Sequence, residues 1–126
     1  MTDQDRSLDY QKIFDRVKNH LLTQNAKAVR NLTTAGQGCA YRGLNDTKCA
    51  IGCLIDDAFY HKELEGCGVQ EKLVVGALCA SLGTKMNTKD ISFLGELQII
   101  HDNYLPLAWK TELRSFALYH QLMWKE

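Results

Sequence analysis

The sequence predicts a mostly α-helical single domain with about four main helices and one small β-hairpin. Three observations support this fold class. Apolar residues recur at steps of three and four in several segments, which is typical of helices with one buried face. Only one segment carries a strand signal, and 126 residues with 45% hydrophobic content suit one packed domain spanning 1–126.

The first helix is predicted over residues 8–22, with Ser7 as its N-cap and Asn25 as its end. Its apolar stripe consists of Tyr10, Ile13, Phe14, Val17, Leu21 and Leu22. Residues 26–38 lose this periodicity and predict a loop, and residues 1–6 are expected to be mobile.

A β-hairpin is predicted at about residues 39–51. Short segments at 39–42 and 47–51 flank a Gly/Asn/Asp cluster, which favours a reverse turn between two strands. After it, Asp56 and Asp57 are expected to cap a short helical turn through residue 60.

Three further helices are predicted in the second half of the chain. One covers residues 69–82 and ends at Gly83, and the next covers 90–104, capped by Asp90 or Thr88. The last begins at Pro106, the only proline, and runs to about residue 122. Its predicted inner face consists of Trp109, Leu113, Phe116, Ala117 and His120.

Charge and composition exclude several classes of function. Lys and Arg total 15, as do Asp and Glu, and this neutral balance argues against strong binding to nucleic acids or anionic membranes. The longest mostly apolar stretch, 73–82, is too short to span a membrane. The polar, acidic first five residues lead us to expect no secretory signal, and no glycine motif for nucleotide binding occurs. We therefore expect no cofactor and a cytoplasmic location.

Five cysteines occur, and an odd count favours reduced thiols in a cytoplasm. The first four have the spacing C-x9-C-x3-C-x13-C, which matches zinc knuckles poorly. Because Cys49 and Cys53 lie in an apolar run, packing is the favoured interpretation and no metal site is predicted.

The predicted hairpin carries the candidate binding residues. Tyrosine and arginine are frequent binding hot spots, and local charge is positive over 26–48 and negative over 54–71. The predicted contacts with a partner protein are Tyr41, Arg42, Asn45 and Lys48, with Asp56 and Asp57 at the rim. Arg42→Ala is expected to weaken binding without unfolding the domain. The alternatives are that Tyr41 only packs the hairpin against a helix and that both charged regions are ordinary solvated surface.

A thiol-dependent enzyme is the alternative function, with Cys49 as nucleophile and His101 as base. Asp102 lies about 100° around the helix from His101, so it is not expected to orient that ring. His101 and His120 could also form a metal pair, although no carboxylate or cysteine has an obvious place beside them.

The motif C-A-Y-R-G at 39–43, followed by K-C-A-I-G-C-L-I at 48–55 and Glu65-Gly66, resembles an uncharacterised family of small proteins of bacteriophages and bacteria. The segments H-L-L-T-Q at 20–24, L-Q-I-I-H-D at 97–102 and the helix with Trp109 extend the resemblance along the chain. It implies a phage-related context and cytoplasmic action, and it brings no known catalytic residues. The predicted function is a non-catalytic protein that binds and modulates a host protein, with homodimerisation left open.

Overall fold

Four α-helices dominate the computed structural model, which describes residues 8–32 and 36–126. They are α1 (Tyr10–Gln24), α2 (Lys72–Leu82), α3 (Thr88–Asn103) and α4 (Pro106–Tyr119). The predicted mostly α-helical fold is therefore confirmed. None of the helices in the described ranges is long and apolar enough to cross a bilayer.

The boundaries of α1 follow from its capping residues. The Asp9 carboxylate accepts the backbone N–H of Lys12 at 3.1 Å, which makes Asp9 the N-cap. Asn25 ends the helix with φ 50°, a left-handed conformation that asparagine tolerates, so the predicted end is confirmed. The predicted cap Ser7 lies outside the described residues, and the predicted helix start at residue 8 is wrong, because α1 begins two residues later at Tyr10.

The starts of α2 and α3 differ from the predicted ones, whereas α4 begins at Pro106 as predicted. α2 begins at Lys72, three residues later than predicted, and ends at Gly83 as predicted. The N-cap of α3 is Asn87, so the prediction of Asp90 or Thr88 is wrong. Asp90 instead returns a bond to the Asn87 backbone N–H at 3.0 Å, completing a capping box. Pro106 is in the first turn of α4 as predicted, and the helix ends at Tyr119.

The two-stranded ladder lies in the segment that was predicted to be a loop. Strand β1 (Val29–Leu32) pairs antiparallel with β2 (Gly36–Cys39). Its base is fixed at Ala28, whose carbonyl accepts the N–H of Ala40 at 2.9 Å. The loop prediction is wrong because this pairing uses backbone groups held by tertiary contacts, which side-chain periodicity does not report.

The predicted hairpin at 39–51 is present only as a tight reversal. The chain turns at Leu44–Asp46, where Asn45 and Asp46 have φ of 60° and 61°. One antiparallel bridge, Arg42 with Lys48, joins the two arms, so the predicted strands are absent here. The arms then pass so close to the following turn that a Cβ at Gly52 would lie 1.9 Å from a carbonyl oxygen.

An aromatic ladder joins α1, α3 and α4 into the core. The Tyr10 ring stacks on Phe93 at 4.0 Å, and Phe93 contacts Phe116 at 5.1 Å between centroids. Phe116 in turn stacks on Phe14 at 5.7 Å. Large buried aromatic surfaces of this kind supply much of the hydrophobic stabilisation of a small domain.

Candidate functional site

Arg42, a predicted contact residue, is engaged inside the fold. Its Nη2 donates to the carbonyl of Ile55 at 3.0 Å and forms an ion pair with Asp57 at 2.7 Å. The guanidinium also lies 4.3 Å from the centre of the Tyr60 ring. With only 21% of its side chain exposed, Arg42 ties two segments of this chain together.

The carboxylate of Glu65 organises the same region. Oε1 accepts the backbone N–H of Tyr41 at 2.9 Å, and Oε2 accepts the N–H of Arg42 at 3.1 Å. Oε2 also accepts the Tyr60 hydroxyl at 2.6 Å. Burial, and then the bond to Glu65, raises the pKa of Tyr60 to about 12. The residues of the C-A-Y-R-G and Glu65-Gly66 motifs therefore meet in a structural cluster.

The ring of Tyr41 cannot serve as the predicted contact, because the residue is only 6% exposed. Its hydroxyl donates to the carbonyl of Cys67 at 2.5 Å, and burial raises the pKa of the phenol. The prediction is corrected for this residue, since it packs the 39–43 segment against the 65–69 segment.

The other predicted contacts remain at the surface. Asn45 is exposed at the tip of its turn, and 84% of the Asp57 side chain is exposed. Lys48 is half-buried, and its backbone is held by Gln24 through two hydrogen bonds. Asp56 is exposed and precedes the predicted short turn, which is present at Asp57–Phe59 without a capping bond from the Asp56 side chain.

Cys49 does not have the setting of a nucleophile. The residue is wholly buried, and its sulfur accepts the N–H of Gly52 at 3.2 Å. Burial raises the pKa of this thiol to about 12, so the thiolate is scarce near neutral pH.

His101 is a buried hydrogen-bonding anchor. Its Nε2 lies 3.0 Å from the backbone nitrogen of Ala28, whose N–H donates to it. Since Nε2 accepts, the neutral ring carries its proton on Nδ1, which donates to Asp102 Oδ1 at 2.7 Å. The prediction that Asp102 cannot orient this ring is therefore wrong.

Cys39 joins this pair to form a group with metal-ligand chemistry. Its sulfur and the donor atoms of His101 and Asp102 lie within 4.8 Å of one another, and within the described ranges no other such group of three occurs. Both ring nitrogens of His101 are already engaged. A cation bound to Nδ1 would move the ring proton to Nε2, and Nε2 could then no longer accept the N–H of Ala28. Although Cys39 is exposed, partial desolvation of its sulfur, reinforced by the Asp102 charge, raises the pKa of the thiol. The geometry thus favours a structural role for the group.

His120 is not part of this group, and its Nε2 lies 3.4 Å from Glu96 Oε1. The structure therefore does not bring His101 and His120 together as a pair of metal ligands. His120 is half-buried and contacts the Phe93 and Phe116 rings. Its placement at the edge of the inner face of α4 agrees with the predicted stripe.

A groove between α3 and α4 is the feature that sequence reasoning missed. It has a volume of about 280 Å³ and is walled by Ile99, Tyr104 and Tyr119, with Phe116 contributing from α4. Of the large hydrophobic side chains exposed in the described residues, Ile99, Tyr104 and Tyr119 lie together around this groove, so apolar surface is concentrated here. Such concentration is typical of interaction surfaces.

A larger cleft of about 500 Å³ lies between the start of α1 and the end of α2. Its polar groups already serve the fold: Asp9 caps α1, and Arg16 Nη2 donates to the carbonyl of Cys53 at 2.9 Å. The α3–α4 groove, with its exposed aromatic and aliphatic side chains, is the better candidate for binding.

No protein-family model, curated protein or solved structure shows a significant match to this chain.

Proposed function

We propose that this chain is a non-catalytic binding protein that engages another protein through the α3–α4 groove. The observation that carries the proposal is the exposure of Ile99, Tyr104 and Tyr119 around one groove, with Tyr119 80% exposed. Burying these side chains against a partner would remove a large apolar area from water. Tyrosine is also among the residue types that dominate binding energy at interfaces.

We further propose that the partner is a host protein and that binding takes place in the cytoplasm. The resemblance of the 39–55 motif to small phage and bacterial proteins supports a host protein as the partner, and the odd cysteine count supports cytoplasmic action. The neutral net charge supports a protein partner over nucleic acid. Within this proposal the exposed side chains of Asn45 and Asp57 are secondary candidate contacts outside the groove.

The burial of Cys49 and the engaged nitrogens of His101 give the thiol-enzyme alternative no support. The proposed role requires an intact surface and no reactive group.

The test compares two surface variants by native mass spectrometry after gentle purification from bacterial cells. Ile99→Ser combined with Tyr119→Ser should reduce the captured partner at least tenfold. Leu73→Ser is the matched control, because Leu73 is 56% exposed on α2, away from the groove, and it should retain the partner. A bare wild-type chain, or equal capture by both variants, would contradict the proposal.

A further inference from the structure

We infer that the α3–α4 groove takes a cationic side chain, arginine or lysine, from an otherwise apolar segment of the partner protein. This inference rests on the proposed function and specifies the chemistry of the partner. It is carried by charge: the groove is lined by two carboxylates, Glu96 on α3 and Glu112 on α4, and by no lysine or arginine.

Of the two carboxylates, Glu112 gives the stronger support for a bound cation. Its side chain is half-buried on the groove side of α4, in line with Ser115 and Tyr119 at steps of three and four. No hydrogen bond or ion pair to it is present among the described residues. A half-buried carboxylate without a partner cation gains most from a charge brought in by a binding partner.

Glu96 faces the same groove from α3. It is 47% exposed on its side chain, and its one close contact is His120 Nε2 at 3.4 Å, which is longer than an ordinary charged hydrogen bond. The second carboxylate is thus also open to an incoming cation.

The two tyrosines add a surface that suits the same ligand. Tyr104 and Tyr119 are both exposed and line the groove with the carboxylates. An aromatic face attracts a guanidinium or ammonium group, and the apolar floor accepts the methylene stem of the side chain. Arginine and lysine combine both properties, whereas an acidic segment would meet two like charges.

The experiment titrates the full chain with a defined probe and follows backbone amide chemical shifts. The probe is a blocked helical peptide of alanine and leucine with three arginines, and its matched control carries glutamine at each arginine. We expect shifts at Ile99, Tyr104, Ser115 and Tyr119, and at least tenfold weaker binding of the glutamine peptide. Glu96→Gln combined with Glu112→Gln should weaken the arginine peptide about tenfold, a loss of about 1.4 kcal/mol.

The matched control is Asp46→Asn combined with Glu63→Gln, two exposed acidic residues outside the groove, which should leave the affinity unchanged. Equal binding of both peptides, no binding of either, or an unaltered affinity in the groove double variant would overturn the inference. Self-association of the chain through the groove in sedimentation would also overturn it.

The two proposals fail in different ways. If the Ile99/Tyr119 variant loses the cellular partner while the Glu96/Glu112 variant keeps it, the cation inference fails and the proposed function stands. If neither variant loses the partner, the proposed function fails as well.

Discussion

The carboxylate of Glu65 binds the backbone N–H of Tyr41 across 24 residues of sequence, at 2.9 Å. Its Oε2 accepts the N–H of Arg42 and the hydroxyl of Tyr60. One carboxylate therefore fixes the path of the 39–43 segment. The C-A-Y-R-G motif at 39–43 is consequently explained by folding, and it does not need to mark a contact surface.

Glu65→Ala should lower the free energy of unfolding by about 2–4 kcal/mol, because three donors lose their acceptor and part of that set is buried. Urea denaturation measures the change. Glu63→Ala is the control, since Glu63 is exposed two residues away and should change stability by less than about 0.5 kcal/mol. Equal stabilities of the two variants would contradict the role given to Glu65.

Arg42→Ala should destabilise the domain, by about 2 kcal/mol, which corrects the expectation that it would affect binding alone. The substitution removes the bond to Ile55, the ion pair with Asp57 and the contact with Tyr60. Arg42→Lys should recover less than half, because an ammonium group lacks the planar fork. An Arg42→Ala variant with the same urea midpoint of unfolding as the wild type would contradict the structural role given to Arg42.

The pH dependence of stability should contain a contribution from His20. Burial lowers the pKa of His20 in the folded state, and its ring donates to the carbonyl of Lys48 at 2.7 Å. Since the folded pKa lies below the unfolded value of about 6.5, this contribution is fully present above that pH and is lost as the pH falls below it. Between pH 7.5 and 6.0, His20→Gln should lose less stability than the wild type in urea titrations. A loss equal to or larger than that of the wild type would show that His20 is not the group responsible.

Cys49 should resist alkylation in the native state. Its thiol is wholly buried with a pKa raised to about 12, so iodoacetamide near neutral pH should label it only after unfolding. Pulsed alkylation with peptide mass spectrometry compares it with Cys39, which is exposed. Faster labelling of Cys49 than of Cys39 in the folded protein would revive the thiol-enzyme alternative.

Sequence periodicity predicted the helices because their apolar stripes face one shared core. Phe14, Val17 and Leu21 of α1 are all fully buried, as steps of three and four require. The predicted first residues of the helices were less accurate than the helices themselves. Asn87 caps α3 by accepting the Asp90 N–H, but Thr88 and Asp90 are also residue types that cap helices, so the sequence does not single out Asn87.

The missed features depend on contacts between distant residues. Strand β1 follows Ala28, which His101 holds from 73 residues away, and no local pattern reports such an anchor. Likewise, Ile99 and Tyr119 belong to different helices, and the groove exists only once α3 and α4 pack together. Tyr41 and Arg42 were assigned to a binding surface by residue type, whereas their burial follows from the partners that Glu65 and Asp57 provide.

The most direct measurement of the central claim is site-specific photocrosslinking in bacterial cells. A benzophenone amino acid is placed at Tyr119 in the groove, at Leu73 on α2 and at Asn45 on the turn. We predict one adduct with another protein at position 119 and none at position 73. Adducts of equal yield at 119 and 73, or an adduct confined to position 45, would contradict binding through the α3–α4 groove.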